Sequence, residues 1–323
     1  MAAGWLAIVA LSLCVAQPCR LRAERFGEFA EALAQPARAA SRSARSAVVH
    51  ASVLDAQGRS VPGLTAADFE ILLDGQPTPV LTATPRSALS LAVIVDTSRS
   101  AQWGGGIAAM PHDAVLAVLA GLRDDDRLRF GSFGARVSFA KPWEPVRARD
   151  LRRELSEALS ADDRETHGPS PIWDVIYETV AMLADEPPPR AVLVLTDARS
   201  TGNARSLEMA ADYAAMHGVA VHSILRNVEM QISQGDRLAV AVRPWVTLDR
   251  LARYTGGTSF AFRIDQNLRG LTLAENLGRA IRDTYALAFL PGGAGEVQRI
   301  EVRVRRIDLH AVAPVVFQAP AAR

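Results

Sequence analysis

Two hydrophobic rhythms follow one another along the chain. The run AVVHASVLD (47–55) has strand composition, and AQGRSVPG (56–63) supplies turn residues. FEILLDGQPTPVLTATP (69–85) predicts two further strands meeting at a hairpin turn, Asp74-Gly75. These strands are too few to close a core and need partners from elsewhere in the chain. From about residue 88 the rhythm changes. SLAVIVD (90–96) is uninterruptedly apolar, as a parallel strand covered on both faces must be. Helices are predicted over 112–122, 149–159, 171–184 with Pro171 at its first position, 204–218, 245–257 and 271–285. Strands fall between them at 126–134, 136–140, 190–197, 219–226 and 258–263. This alternation predicts an α/β fold: a Rossmann-like, doubly wound, mostly parallel sheet with its functional crevice at the carboxyl ends of the strands. The chain closes with YALAF and RIEVRVR, which alternate with period two across Pro291-Gly292-Gly293. Those strands are expected to return to the N-terminal ones and form a small β module. The predicted boundaries are a β segment at 47–86, the α/β domain at 87–285 and the closing strands at 286–323.

Ahead of these elements, AAGWLAIVALSLCVA (2–16) is an uncharged apolar run of signal-peptide length, too short to span a bilayer comfortably. Cys14 and Ala16 stand at the −3 and −1 positions of a cleavage site before Gln17. No Lys or Arg precedes the run, so an uncleaved signal holding the chain at the membrane is the alternative. Residues 17–46 are rich in Ala, Arg and Ser and read as a solvated tether. The expected location is extracytoplasmic, either periplasmic or secreted.

Composition narrows the function. With 323 residues, 49% hydrophobic and 22% charged, the chain is neither wholly disordered nor a polytopic membrane protein. Lys+Arg at 36 against Asp+Glu at 35 leaves no global field to recruit nucleic acid. Both cysteines, Cys14 and Cys19, precede the predicted domains, so the body has no thiol chemistry, disulfide framework or Cys-ligated metal.

The candidate chemistry sits at predicted strand ends. Asp96, Ser98 and Ser100 in DTSRS follow the first parallel strand, Ser170 lies in THGPSPIWD before a helix, and Asp197 ends VLVLTD. Two carboxylates and three hydroxyls form an all-oxygen set suited to Mg²⁺, Mn²⁺ or Ca²⁺ rather than zinc or copper. The plainer alternative is local: Asp96 caps a turn, and the two serines cap the next helix. Asp124–Asp126 reads as a solvated turn. Asp162, Asp163 and Glu165 are either an acidic rim or a solvated loop, and His167 is the one histidine near the site. Trp103 with Gly104–Gly106, and the insertion at 227–245, are candidate contact loops. No G-x-S-x-G elbow, G-x-x-x-x-G-K-[ST] loop or H-E-x-x-H pair occurs. An aspartyl phosphatase would want a second acid where Ser98 stands.

These residues resemble a von Willebrand factor A domain, whose metal-ion-dependent adhesion site reads DxSxS, then Thr, then Asp. Asp96, Ser98 and Ser100 match the first motif. Ser170 falls at the Thr position with Trp173-Asp174 behind it, and Asp197 matches the last. More narrowly, the chain resembles the bacterial VWFA-related proteins of acidobacteria, through VxDxxGxxVxGLxxxDFxxxxDG, here VLDAQGRSVPGLTAADFEILLDG (53–75). The resemblance spans about residues 47–306. It implies a non-enzymatic adhesion module in which Asp96, Ser98, Ser100, Ser170 and Asp197 hold Mg²⁺ (or Mn²⁺ or Ca²⁺), the cation then coordinating an acidic group of a protein partner. The alternatives are a metal-free scaffold of the cell envelope and a metal-dependent phosphoester hydrolase.

Overall fold

A computed structural model describes residues 46–101, 109–159, 169–226, 230–234, 237–242, 245–262, 267–293 and 295–319. The signal, nearly all of the tether, Trp103 with Gly104–Gly106, Asp162, Asp163, Glu165 and His167 lie outside the described residues. In chain order the strands are β1 (Ala47–Asp55), β2 (Phe69–Leu73), β3 (Gln76–Thr78), β4 (Val80–Pro85), β5 (Ser90–Asp96), β6 (Arg127–Phe133), β7 (Val137–Phe139) and β8 (Glu144–Pro145). They continue with β9 (Arg190–Thr196), β10 (Val219–Arg226), β11 (Met230–Gln234), β12 (Arg237–Val242), β13 (Ser259–Phe262), β14 (Tyr285–Phe289), β15 (Val297–Val304), β16 (Leu309–Val312) and β17 (Val316–Gln318). The helices are α1 (Ala109–Leu119), α2 (Leu151–Leu159), α3 (Ile172–Leu183), α4 (Leu207–Met216), α5 (Trp245–Tyr254) and α6 (Asn267–Arg282).

The apolar run of β5 explains the sheet around it. Leu91, Val93 and Val95 point to one face and pack with Val115 and Val118 of α1, Leu155 of α2, and Leu277 and Ile281 of α6. Ala92 and Ile94 point to the other face, among Ile176 of α3, Ala211 of α4 and Leu248 of α5. A strand with both faces dry needs apolar side chains at both parities, and β5 has them. The sheet runs β13-β10-β9-β5-β6-β7, with β8 also paired to β6. The pairs from β13 through to β6 are parallel, and β7 and β8 are antiparallel to β6. The fold is therefore α/β with a mostly parallel, doubly wound central sheet.

The flanking strands build two antiparallel sheets, β16-β1-β14-β4 and β17-β15-β2-β3, around one core that includes Val49, Ala51, Phe69, Ile71, Tyr285, Leu287 and Ile300. Strands from the two ends of the chain interleave: β14 and β16 flank β1, and β15 pairs with β2.

Three expectations about elements change. The second strand of 69–85 divides at Pro79, which has no N–H for a ladder, so β3 stays with β2 while β4 pairs with β14 in the other sheet. Helix 271–285 ends at Arg282, because Tyr285 is claimed by the module. Its ring packs edge-on to Phe69 with centroids 5.2 Å apart, and its hydroxyl donates to the Val61 carbonyl at 2.7 Å. Helix 204–218 starts only at Leu207, where the Ser206 hydroxyl accepts from the Met209 N–H. Within the 227–245 insertion, β11 and β12 form an antiparallel hairpin.

The expectation of a solvated turn at Asp124–Asp126 is also overturned for Asp126, which is fully buried. Its two oxygens take both terminal nitrogens of Arg86, at 2.7 and 2.8 Å, and accept the backbone N–H groups of Leu89 and Arg123. Arg86 Nε donates in turn to the Ile281 carbonyl. One ion pair thus joins the end of β4, the start of β5, the turn before β6 and the last turn of α6. Burial pushes the Asp126 pKa upward, but the Arg86 guanidinium and the two N–H donors outweigh it and hold the carboxyl below the usual range.

Breaking a buried pair strands the remaining charge, which costs about 3–5 kcal/mol. Asp126→Asn is expected to lose that much in urea denaturation, while Asp124→Asn, on the exposed part of the same turn, changes stability by no more than about 0.5 kcal/mol. Comparable losses at the two positions would show that the pair does not organise this junction.

Candidate metal site at the strand ends

The winding of the sheet places the site. From β5 the chain passes to β6 on one side, whereas β9, β10 and β13 build outward on the other. The order therefore reverses between β5 and β9, and loops there leave in opposite directions and open a crevice at the carboxyl ends. Asp96 is the last residue of β5, and Asp197 directly follows β9. Both are buried, at 0% and 1% exposure, in a place where an aspartate has no packing reason to be.

The two aspartates use one oxygen in the same way. Asp96 Oδ1 accepts the Ser98 N–H at 2.9 Å, and Asp197 Oδ1 accepts the Arg199 N–H at 3.0 Å. Each thereby closes a turn over its own strand end. The second oxygens differ. Asp96 Oδ2 accepts from the hydroxyls of Thr196 and, at 3.4 Å, Ser170. Asp197 Oδ2 has no hydrogen-bond partner; Arg199 Nε lies 3.6 Å away and is itself buried without one. Ser98 Oγ and Ser100 Oγ are 3.3 Å apart. Burial raises the Asp96 pKa, with the nearby Asp197 charge adding to it, against hydrogen bonds from Ser98 and Thr196; the result is about 6.

The structure thus brings Asp96, Ser98, Ser100 and Ser170 into one hydrogen-bonded group, with Asp197 close enough for its charge to be felt by Asp96. The plain turn-capping role is real for both aspartates, yet it uses only half of each carboxylate. Asp174 does something else. From the first turn of α3 it accepts the N–H groups of Ala204 and Arg205 at 2.7 and 2.8 Å, while Asn203 accepts the Trp173 N–H. These contacts tie the loop after Asp197 to the helix that follows Ser170. Thr201 adds a second tie, because its hydroxyl accepts the Ser170 N–H and its own N–H donates to the Ser170 carbonyl.

Three contributors escape a reading by motif: Thr196, Thr201 and Arg199. Only Thr196 carries a signal, as the one hydroxyl in RAVLVLT, where every residue between Arg190 and it is apolar. Ala198 adds strain, with φ at 64° in the left-handed region, which a side chain disfavours by about 1–2 kcal/mol. Among the described residues, no three His, Cys, Asp and Glu side chains converge. A cation here would therefore depend on hydroxyls as well as on the two carboxylates. The donors are all oxygen, and the orphaned Asp197 Oδ2 is an acceptor short of a partner, so the residues fit a hard divalent cation.

No family model matches the chain, and no curated protein matches it. Solved structures do. An aerotolerance-related membrane protein from Bacteroides fragilis is 14% identical, with TM-score 0.41, covering 59% of this chain and 98% of its own. A von Willebrand factor type A protein from Catenulispora acidiphila is 12% identical, with TM-score 0.45 and coverages of 88% and 76%. The ArnB paralog VWA2 from Sulfolobus acidocaldarius is 10% identical, with TM-score 0.42 and coverages of 85% and 76%. The chain is similar to von Willebrand factor A proteins among others, and none of these likenesses bears on the chemistry of the site.

Without metal, the raised pKa of Asp96 has a definite sign. The fold favours the protonated carboxyl, so this contribution to stability is complete below pH 3.8 and is lost as pH rises through about 6. Ionised Asp96 then costs about 3 kcal/mol at neutral pH. In chelator, Asp96→Asn is expected to melt above wild type at pH 7.5, with the gap closing towards pH 4. A gap independent of pH, or an asparagine variant less stable at pH 7.5, would contradict this account of the site.

Proposed function

We propose that this chain is an exported protein-binding module whose binding depends on a divalent cation held by Asp96, Ser98, Ser100, Ser170 and Asp197. One observation carries the reading. Two buried aspartates end adjacent strands at the sheet's switch point, and one of them has an oxygen without a hydrogen-bond partner. A fold spends stability on such groups where a function recovers it. Bound Mg²⁺, Mn²⁺ or Ca²⁺ would supply an electrophilic centre for an acidic side chain of a partner protein. The chain's own residues orient that centre: the turns closed by Asp96 and Asp197 fix the carboxylates, and Asp174, Asn203 and Thr201 hold the surrounding loops. No reaction is assigned to the chain. Export rests on residues 2–16, and no described helix is long and apolar enough to cross a membrane.

Arg199 favours a second reading, a metal-free scaffold. Its guanidinium beside Asp197 provides the positive charge that a cation otherwise would. Calorimetric titration of Mg²⁺ separates the two. The metal reading expects one saturable site, lost in Asp96→Ala and Asp197→Asn. It also expects tighter binding in Arg199→Ala, where the competing cation is gone, and weaker binding as pH falls through about 6 and Asp96 takes up a proton. Equal heats in wild type and Asp96→Ala would leave the scaffold. Capture of an acidic-peptide partner that survives chelation would sink the metal dependence.

A further inference from the structure

Arg199 stands two residues beyond Asp197, across the left-handed Ala198, and meets that carboxylate twice. Its backbone N–H donates to Asp197 Oδ1 at 3.0 Å, and its side chain folds back over the same turn, bringing Nε to 3.6 Å from Oδ2. The second contact is too long for a hydrogen bond. A buried donor and a buried acceptor thus face each other, and neither is satisfied. The rest of the guanidinium makes no hydrogen bond to a described residue, and the side chain is 36% exposed.

The buried pair at the other end of β5 is the contrast. Arg86 grips both oxygens of Asp126 and also donates to the carbonyls of Ile281 and Ser87, with 1% of its side chain exposed. To leave, it would break four hydrogen bonds and strand a charge in the interior. The Arg199 side chain would break none. Its turn is closed by the backbone N–H, which stays in place, and Nε would gain water. What its departure removes is charge: Asp197 lies close enough to Asp96 for the two carboxylates to feel each other, and the guanidinium is a cation beside them. A group that supplies needed charge yet is held by no side-chain hydrogen bond is an exchangeable counter-ion. A divalent cation on Asp197 Oδ2 would bear on the same oxygen, and like charges a few ångströms apart repel.

We propose that Arg199 is the site's own counter-ion, compensating Asp197 until a divalent cation binds and then giving way, its guanidinium released to the surface of the crevice. The inference rests on the metal reading above and adds the regulation of that site. The released side chain is positive and stands on the face where an acidic partner docks, so the partner meets the guanidinium only in the loaded state. Removing the guanidinium therefore acts with opposite signs: the chain loses its counter-ion in chelator, yet has nothing to displace when metal enters.

The test uses the full chain, with Mg²⁺ alone as the probe. In chelator, Arg199→Gln is expected to melt about 2 °C below wild type, a small shift because the side chain is partly exposed. In calorimetric titration the same variant should bind Mg²⁺ about fivefold more tightly than wild type. Arg253→Gln makes the same change of charge at a side chain 77% exposed on α5, and should leave the affinity unchanged. A further readout uses wild type: the Arg199 Nε–H resonance, assigned by through-bond correlation from its backbone, should be protected from water in chelator and move to the free-arginine position as Mg²⁺ saturates. The exchange is overturned, with the metal site left standing, if Mg²⁺ binds wild type and Arg199→Gln equally or if the Nε–H resonance stays in place at saturation. It is also overturned if Arg253→Gln gains as much affinity, or if Arg199→Gln melts at or above wild type in chelator. An absence of saturable Mg²⁺ binding in wild type and Arg199→Gln alike overturns the exchange and the metal reading together.

Discussion

A carboxylate taken out of water must find a cation, a set of donors or a proton, and this fold answers that constraint differently at three aspartates. Asp126 finds the first: Arg86 grips both of its oxygens, and two backbone N–H groups complete the shell. Asp96 finds hydroxyl and backbone donors, yet burial outweighs them and its pKa rises to about 6. Asp197 finds half a shell, with one oxygen in its turn and the other facing a guanidinium too distant for a hydrogen bond. The first arrangement is structural and complete. Asp197 is left with an oxygen that no hydrogen bond reaches, and it sits beside Asp96 where the sheet reverses its winding.

The complete pair makes the incomplete one tenable. Arg86 leaves β4 and reaches the starts of β5 and β6 and the end of α6, locking the amino-terminal side of the central strand. From that anchored start β5 runs through two apolar layers and delivers Asp96 at its far end. The loops around Asp96 are held by contacts that spend no ligand oxygen of the site: Asp174 on the N–H groups of residues 204 and 205, and Thr201 on the backbone of Ser170. Rigid supports of this kind keep a polar cluster open at little cost in conformational entropy.

Much of this was legible along the chain because it is local. A strand buried on both faces must be apolar at every position, and SLAVIVD and RAVLVLTD say so without any partner. The aspartates and serines of the site stand at strand ends, where the apolar run stops, so spacing alone brings them forward. Asp126 is not legible as a buried group because its neighbours Asp124 and Asp125 make the triplet look solvated; its partner lies 40 positions away in sequence. Pro79 parts two strands that composition alone runs together, and Tyr285 leaves its predicted helix because a phenylalanine more than two hundred residues earlier packs against its ring.

By itself, the order of hydrophobic and polar residues determined the α/β architecture, the strand ends that carry Asp96 and Asp197, and the oxygen-only character of the site. Periodicity and ligand type are properties of single segments, so no folding is needed to read them. Only the tertiary structure decided which charges are compensated. Whether a buried Asp or Arg meets its opposite depends on contacts between segments far apart in sequence, and the strength of a charge depends on the water removed from around it. That is why Asp126 and Arg86 became an internal joint and Asp197 kept an oxygen without a hydrogen bond.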